Sequence, residues 1–185
     1  IDDNFVEYFS QATEFRQDTD FVTEQLTGPN HIEVDLLTDG PGQIFEAGNF
    51  KALLDLTSFL KRHELVASVV SLSDVLTNVA TAFSDEIDKS TSAETLAQYY
   101  LAYSLSLSKG ESATALVSQD LASTHISVLL SEGSAADIRG LETSIRKWAS
   151  LNVTGSTKLL VTGENIPVAH LSSSNIPAAI RTITT

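Results

Sequence analysis

His31-Ile32-Glu33-Val34-Asp35-Leu36-Leu37 alternates polar and apolar residues from one end to the other. In an extended chain successive side chains point to opposite faces, so Ile32, Val34 and Leu36 line one face and His31, Glu33 and Asp35 the other. This is the pattern of a strand buried on one side only. Thr27-Gly28-Pro29-Asn30 precedes it and the loop Thr38-Asp39-Gly40-Pro41-Gly42 follows it, both in the residue types that end regular structure.

Working outward, Asn49 to Arg62 carries Phe50, Leu53, Leu54, Leu56, Phe59 and Leu60 at helical spacing, and the β-branched run Leu65 to Val70 reads as a buried strand. These close a first β-α-β unit. Ser71-Leu72-Ser73-Asp74 has the form of a capping box opening a helix to about Phe83, and Thr91-Ser92-Ala93-Glu94 has the form of another, opening a helix to about Leu107. The polar linker Ser84 to Ser90 joins them. Gln119 to Leu130 reads as a strand in which Ile126, Val128 and Leu130 alternate with His125, Ser127 and Leu129, although Leu129 spoils the polar face. Ser134-Ala135-Ala136-Asp137 then caps a helix with Ile138, Leu141, Ile145 and Trp148 in one stripe, and Lys158 to Thr162 completes a second β-α-β unit.

Upstream, Phe15 to Leu26 reads as a helix. Residues 1–50 hold 11 of the chain's 24 acids and only one of its 11 bases, Arg16, yet they also hold Phe5, Tyr8, Phe9, Phe15 and Phe21. A disordered acidic tail is poor in aromatics, so an ordered lead-in packed on the domain, acids outward, is expected. The whole predicts an α+β fold: a ferredoxin-like split β-α-β sheet with helices on one face, an inserted helical pair and an N-terminal helical lead-in. The divisions fall at residues 1–30, 31–71, 72–115, 116–165 and 166–185.

The formal charge of −13 over 185 residues is the wrong sign for gripping nucleic acid or anionic lipid. Zero cysteines exclude disulfides, thiolate metal sites and a cysteine nucleophile. No stretch reaches the ~18–20 apolar residues of a membrane span. His31, Glu33 and Asp35 share a strand face, but neighbours on such a face sit roughly 6.5–7 Å apart and diverge from a common ion, so no metal is expected. His63, His125 and His170 have no acid at catalytic or ligand spacing and read as surface or hydrogen-bonded structural residues. Gly40-Pro41-Gly42 lacks a phosphate-loop lysine and reads as a plain turn. Gly110-Glu111-Ser112-Ala113 matches only the start of a nucleophile elbow, with Thr114 where the second glycine belongs. Asn152-Val153-Thr154 is a glycosylation sequon in form, read here as a chance match. No catalytic constellation and no cofactor motif emerges. Leu96, Tyr99, Tyr100 and Tyr103 give the inserted helix an aromatic stripe that reads either as core or as a hydrophobic contact surface.

Several blocks together carry a resemblance. Asp2-Asp3-Asn4-Phe5-Val6-Glu7-Tyr8-Phe9, then Phe15-Arg16-Gln17-Asp18-Thr19-Asp20-Phe21-Val22, then Leu26-Thr27-Gly28, resembles the start of a large extracytoplasmic loop of predicted exporters of the resistance-nodulation-division superfamily, in its MMPL and Patched-like branch. Val70-Ser71-Leu72-Ser73-Asp74-Val75-Leu76 resembles that family's strand-to-helix junction, Leu96-Ala97-Gln98-Tyr99-Tyr100-Leu101 its inserted helix, and Ala169-His170-Leu171 with Asn175-Ile176 the segment before the next membrane span. The chain departs from the family pattern at its short linker, Asp85 to Ser90.

The resemblance implies a non-enzymatic porter-type domain on the extracytoplasmic (periplasmic) side of a bacterial inner membrane, part of a proton-driven exporter of hydrophobic or lipid-like cargo. Its partners would be the parent's transmembrane helices and second porter domain, with homo-oligomers arising through the parent. Leu96, Tyr99, Tyr100 and Tyr103 would be the substrate-contact residues, with Leu101 and Leu105 adding apolar surface beside a groove between insertion and sheet. Both chain ends would lie at one end of the domain. The alternative is a free-standing ferredoxin-like ligand-binding or regulatory module.

Overall fold

A computed structural model describes residues 9–25, 30–108, 112–131 and 133–171. Residues 2–8, 26–28 and 175–176 of the blocks quoted above, and the two chain ends, lie outside them. The order of elements is α1 (Glu14–Gln25), β1 (His31–Leu37), α2 (Ala47–Lys61), β2 (Val66–Val70), α3 (Leu72–Ala82), α4 (Ala93–Ser106), β3 (Ser123–Leu130), α5 (Ala135–Asn152) and β4 (Lys158–Thr162). Residues 165–171 add a short final helix. No helix among the described residues is long and apolar enough to cross a membrane.

The strands form one antiparallel sheet in the order β2-β3-β1-β4. β3 therefore sits between β1 and β2, and β1 between β3 and β4, so the two β-α-β units interleave. Ile32, Val34 and Leu36 of β1 and Ile126, Val128 and Leu130 of β3 are fully buried. They join Leu53, Leu56 and Leu60 of α2, Leu72 and Leu76 of α3 and Leu141 and Ile145 of α5 in a single core. The helices thus cover one sheet face. Their local causes are those of the sequence: Ser134 and Asp137 form a complete capping box on α5, and the Ser71 hydroxyl accepts from the Asp74 N–H at the start of α3. Trp148 stacks on Phe59 of α2 with ring centroids 6.0 Å apart.

Three expectations are corrected. Helix α4 is capped by Ser92 rather than Thr91, because the Thr91 hydroxyl is taken by the Asp88 N–H. β3 starts at Ser123 rather than Gln119: Ser118 Oγ accepts from the Ala122 and Ser123 N–H groups and closes a turn there. The lead-in helix α1 forms, but Phe15 and Phe21 are exposed rather than packed on the domain. Along it, Phe15 meets Phe9 with ring centroids 4.8 Å apart and Arg16 is bidentate to Asp20.

Candidate functional site

The uncovered sheet face carries a row of charge built by register. The alternation of β1 sends His31, Glu33 and Asp35 there, and β3 runs antiparallel with Asp35 opposite His125 and Glu33 opposite Ser127. His125 Nδ1 lies 2.9 Å from Asp35 Oδ1, and its Nε2 lies 3.8 Å from Glu33 Oε1. His31 Nε2 stands 4.0 Å from the same Glu33 oxygen, and its Nδ1 4.0 Å from Glu164. The row reads Glu164, His31, Glu33, His125, Asp35. His125 is thus not apart from acids, as its sequence position suggested: its partner is 90 residues away, and only strand pairing brings it in.

Among the described residues no three His, Asp or Glu side chains are grouped so as to hold a metal ion. His31 precedes Glu33 by two positions and His125 lies opposite the residue two positions after it, so the two rings reach the same Glu33 oxygen, at 4.0 and 3.8 Å, from opposite ends of the row. At the His125 end a cleft of ≈ 370 Å³ opens, bordered by Asp35, His125 and the hydroxyls of Thr114, Ser118 and Ser123. Apolar Val70 and Leu160 are exposed and, by register, share this face.

The inserted helix α4 divides its aromatic stripe between inside and outside. Leu96 is fully buried and Tyr99 nearly so; the surface role expected of Leu96 is therefore not available to it. Tyr99 stacks on Phe83 with centroids 6.3 Å apart and donates its hydroxyl to Asp85. That bond, helped by the Glu86 N–H, holds the Asp85 carboxyl below its ordinary range and raises the Tyr99 phenol. Tyr100 and Tyr103 are half-buried, Tyr100 against Phe45 at 5.8 Å. Leu101, Leu105 and Phe83 are exposed, at 58%, 77% and 66%. The open apolar surface of the insertion is therefore Leu101, Leu105 and Phe83, with Tyr100 and Tyr103 partly exposed.

A second cluster was not anticipated. Glu142 of α5 is buried and accepts from Arg146 Nε and Nη2 at 2.9 and 2.7 Å, while its other oxygen lies 2.7 Å from His170 Nε2. Burial pushes its carboxyl up, but the bonds from His170 and Arg146 outweigh this and hold it below its ordinary value. His170, like His125, thus pairs with an acid remote in sequence. The i, i+4 pair Glu142–Arg146 was visible in the sequence, but the return of residues 165–171 onto α5 was not.

The remaining motifs have structural roles. His63 Nδ1 accepts from the Leu65 N–H in the turn before β2. Gly42, at φ +74°, leads into a 3₁₀ turn over Gln43–Phe45, and Ser112 caps another over Ala113–Ala115. Gly110 and Glu111 lie outside the described residues. Asn152 Nδ2 donates to the Trp148 carbonyl at the end of α5. Compared with known proteins, the chain matches no family model and no curated protein.

Proposed function

We propose that the chain is a porter-type domain of ferredoxin-like topology from a proton-driven exporter of the resistance-nodulation-division superfamily, MMPL and Patched-like branch, lying on the extracytoplasmic side of the inner membrane. The observation that carries the reading is the interleaved strand order β2-β3-β1-β4 with α2, α3 and α5 sharing one core with the apolar face of the sheet, which agrees with the architecture implied by the sequence blocks quoted above. An uncovered face with exposed Val70 and Leu160 beside charge suits a domain that packs against neighbouring parts of one large protein. The cargo-contact surface in this reading is α4: Tyr100 and Tyr103 are partly exposed and carry wettable hydroxyls, Leu101 and Leu105 add apolar area, and Leu96 and Tyr99 hold the helix from the core.

This chain holds no cysteine, so a single one introduced here reports on this domain once any cysteines elsewhere in the parent are replaced. In intact cells expressing the parent protein, Lys147→Cys on α5 should react with a membrane-impermeant maleimide, and the parent should carry apolar segments of ~20 residues on both sides of this chain. Tyr100→Ala with Tyr103→Ala should impair export of amphipathic substrates while the parent is still produced and inserted. Lack of labelling in intact cells, with labelling after lysis, refutes the extracytoplasmic placement and leaves the free-standing module; normal export by the double variant removes α4 from the cargo path.

A further inference from the structure

The segment after β4 is fastened at both of its ends, and the two fastenings lie on different elements. At its start, Gly163 has φ +109°, and a Cβ there would lie 3.1 Å from Ile32 Cα and 3.3 Å from the His31 carbonyl oxygen. Only glycine permits the backbone to lie this close on β1. Two residues on, Asn165 Nδ2 donates to the same His31 carbonyl at 2.9 Å, and the Glu164 carboxylate stands 4.0 Å from the His31 ring. At its far end Ala169 is buried, its carbonyl accepts from Arg139 of α5, and His170 meets the buried Glu142. Ile166, also buried, pins the middle.

We infer that residues 163–171 act as a coupling strap between α5 and the start of β1, so that a displacement of the segment at its His170 end is delivered to His31 and through it to the Glu33–His125–Asp35 row. A helix of about two turns, residues 165–171, spans the two fastenings, and a short helix moves as a rigid unit, whereas a loop of equal length would absorb the motion. The strap goes beyond the exporter reading and does not depend on it, because it is a property of this chain alone. By reciprocity, release of the His31 end loosens the His170 end.

The chain's four histidines, His31, His63, His125 and His170, give a direct readout, since each contributes one imidazole Cε1–H signal to a carbon-correlated NMR spectrum. His170→Ala should move the His31 signal and leave that of His63, in the turn before β2, in place. Amide hydrogen exchange over residues 165–171 should rise at least tenfold, with exchange in β3 unchanged. Asn165→Ala, which cuts the other end, should raise exchange at 169–171 as well. If His170→Ala frees the segment and the His31 signal stays put, the two ends are independent and the strap is refuted. Unchanged exchange also refutes it. Uniform acceleration throughout the chain with all remaining signals shifted marks general destabilisation by His170→Ala, and Asn165→Ala, at a half-buried site, then decides, a local response supporting the strap and a global or absent one overturning it.

Discussion

Truncating Leu96 to alanine tests whether the inserted helix is part of the core or an appendage lying on it. The Leu96 side chain is fully buried, and Leu96→Ala removes three carbons whose transfer from water contributes about 2.4 kcal/mol at ~0.8 kcal/mol each. The hole left behind adds a further term, which brings such substitutions to about 3–4 kcal/mol where neighbours cannot collapse. Here the surroundings include Tyr99, which is held by its bond to Asp85 and its stack on Phe83, so collapse is restricted. For a chain of this size each kcal/mol moves the melting point by about 2–4 °C, giving a drop of about 6–15 °C. The control is Leu101→Ala one turn on, at a side chain 58% exposed, for which a loss under about 1 kcal/mol is expected. Urea and thermal unfolding followed by far-UV circular dichroism measure both. Equal effects, or a Leu96→Ala loss under about 1 kcal/mol, would refute the placement of α4 in the core.

Three further outcomes follow from the geometry. Gly163→Ala should destabilise by about 1–3 kcal/mol or more in urea melts, because both its positive φ and the approach of Ile32 Cα oppose a side chain. Ser134→Ala should cost about 1 kcal/mol by removing the hydroxyl that accepts from the Asp137 N–H, while the reciprocal bond from the backbone N–H of residue 134 to Asp137 stays, and Ser134→Asp should restore most of the loss. Glu142 contributes to the acid limb: since its folded pKa is depressed below the ordinary 4.5, its contribution is full above that value and is lost as pH falls through the folded one. The stability gap between wild type and Glu142→Gln should therefore be widest near pH 7 and narrow below about pH 4.5, as read from urea midpoints across pH; a constant gap would show that the carboxylate's ionisation is not what matters.

Periodicity made the elements legible and left their mutual placement half legible. The strict alternation of His31 to Leu37 and the stripe Ile138, Leu141, Ile145 each admit one reading, and β1 spans that alternation from end to end while α5 starts at the expected Ser134 cap. Helix α4 admits several. Leu96, Tyr99, Tyr100, Leu101, Tyr103 and Leu105 surround it with apolar groups on most sides, so no single stripe separates core from surface. The charged row was half visible: the β1 members follow from alternation, whereas His125 joins them through a strand register set by the fold as a whole. α1 misled for a related reason, since aromatic content signals order but does not say what an aromatic ring will pack against.

The strand order has a temporal meaning as well. β1 and β2, the first two strands to be made, are not neighbours, because the slot between them belongs to β3. None of these four strands has its partner until Ser123–Leu130 is made, and the pairs it then forms range from Val70 with Ser127 to His31 with Leu129, the Asp35–His125 pair among them being 90 positions apart. Closing so long a loop before any sheet contact repays it makes for slow, all-or-none assembly. Neither β-α-β half is a folding unit in its own right. A nascent chain cut short before β3, or a gene split within the insertion, yields fragments that expose β1 and β2 edges with nothing to pair with, and these would be substrates for proteases and holdase chaperones rather than for folding.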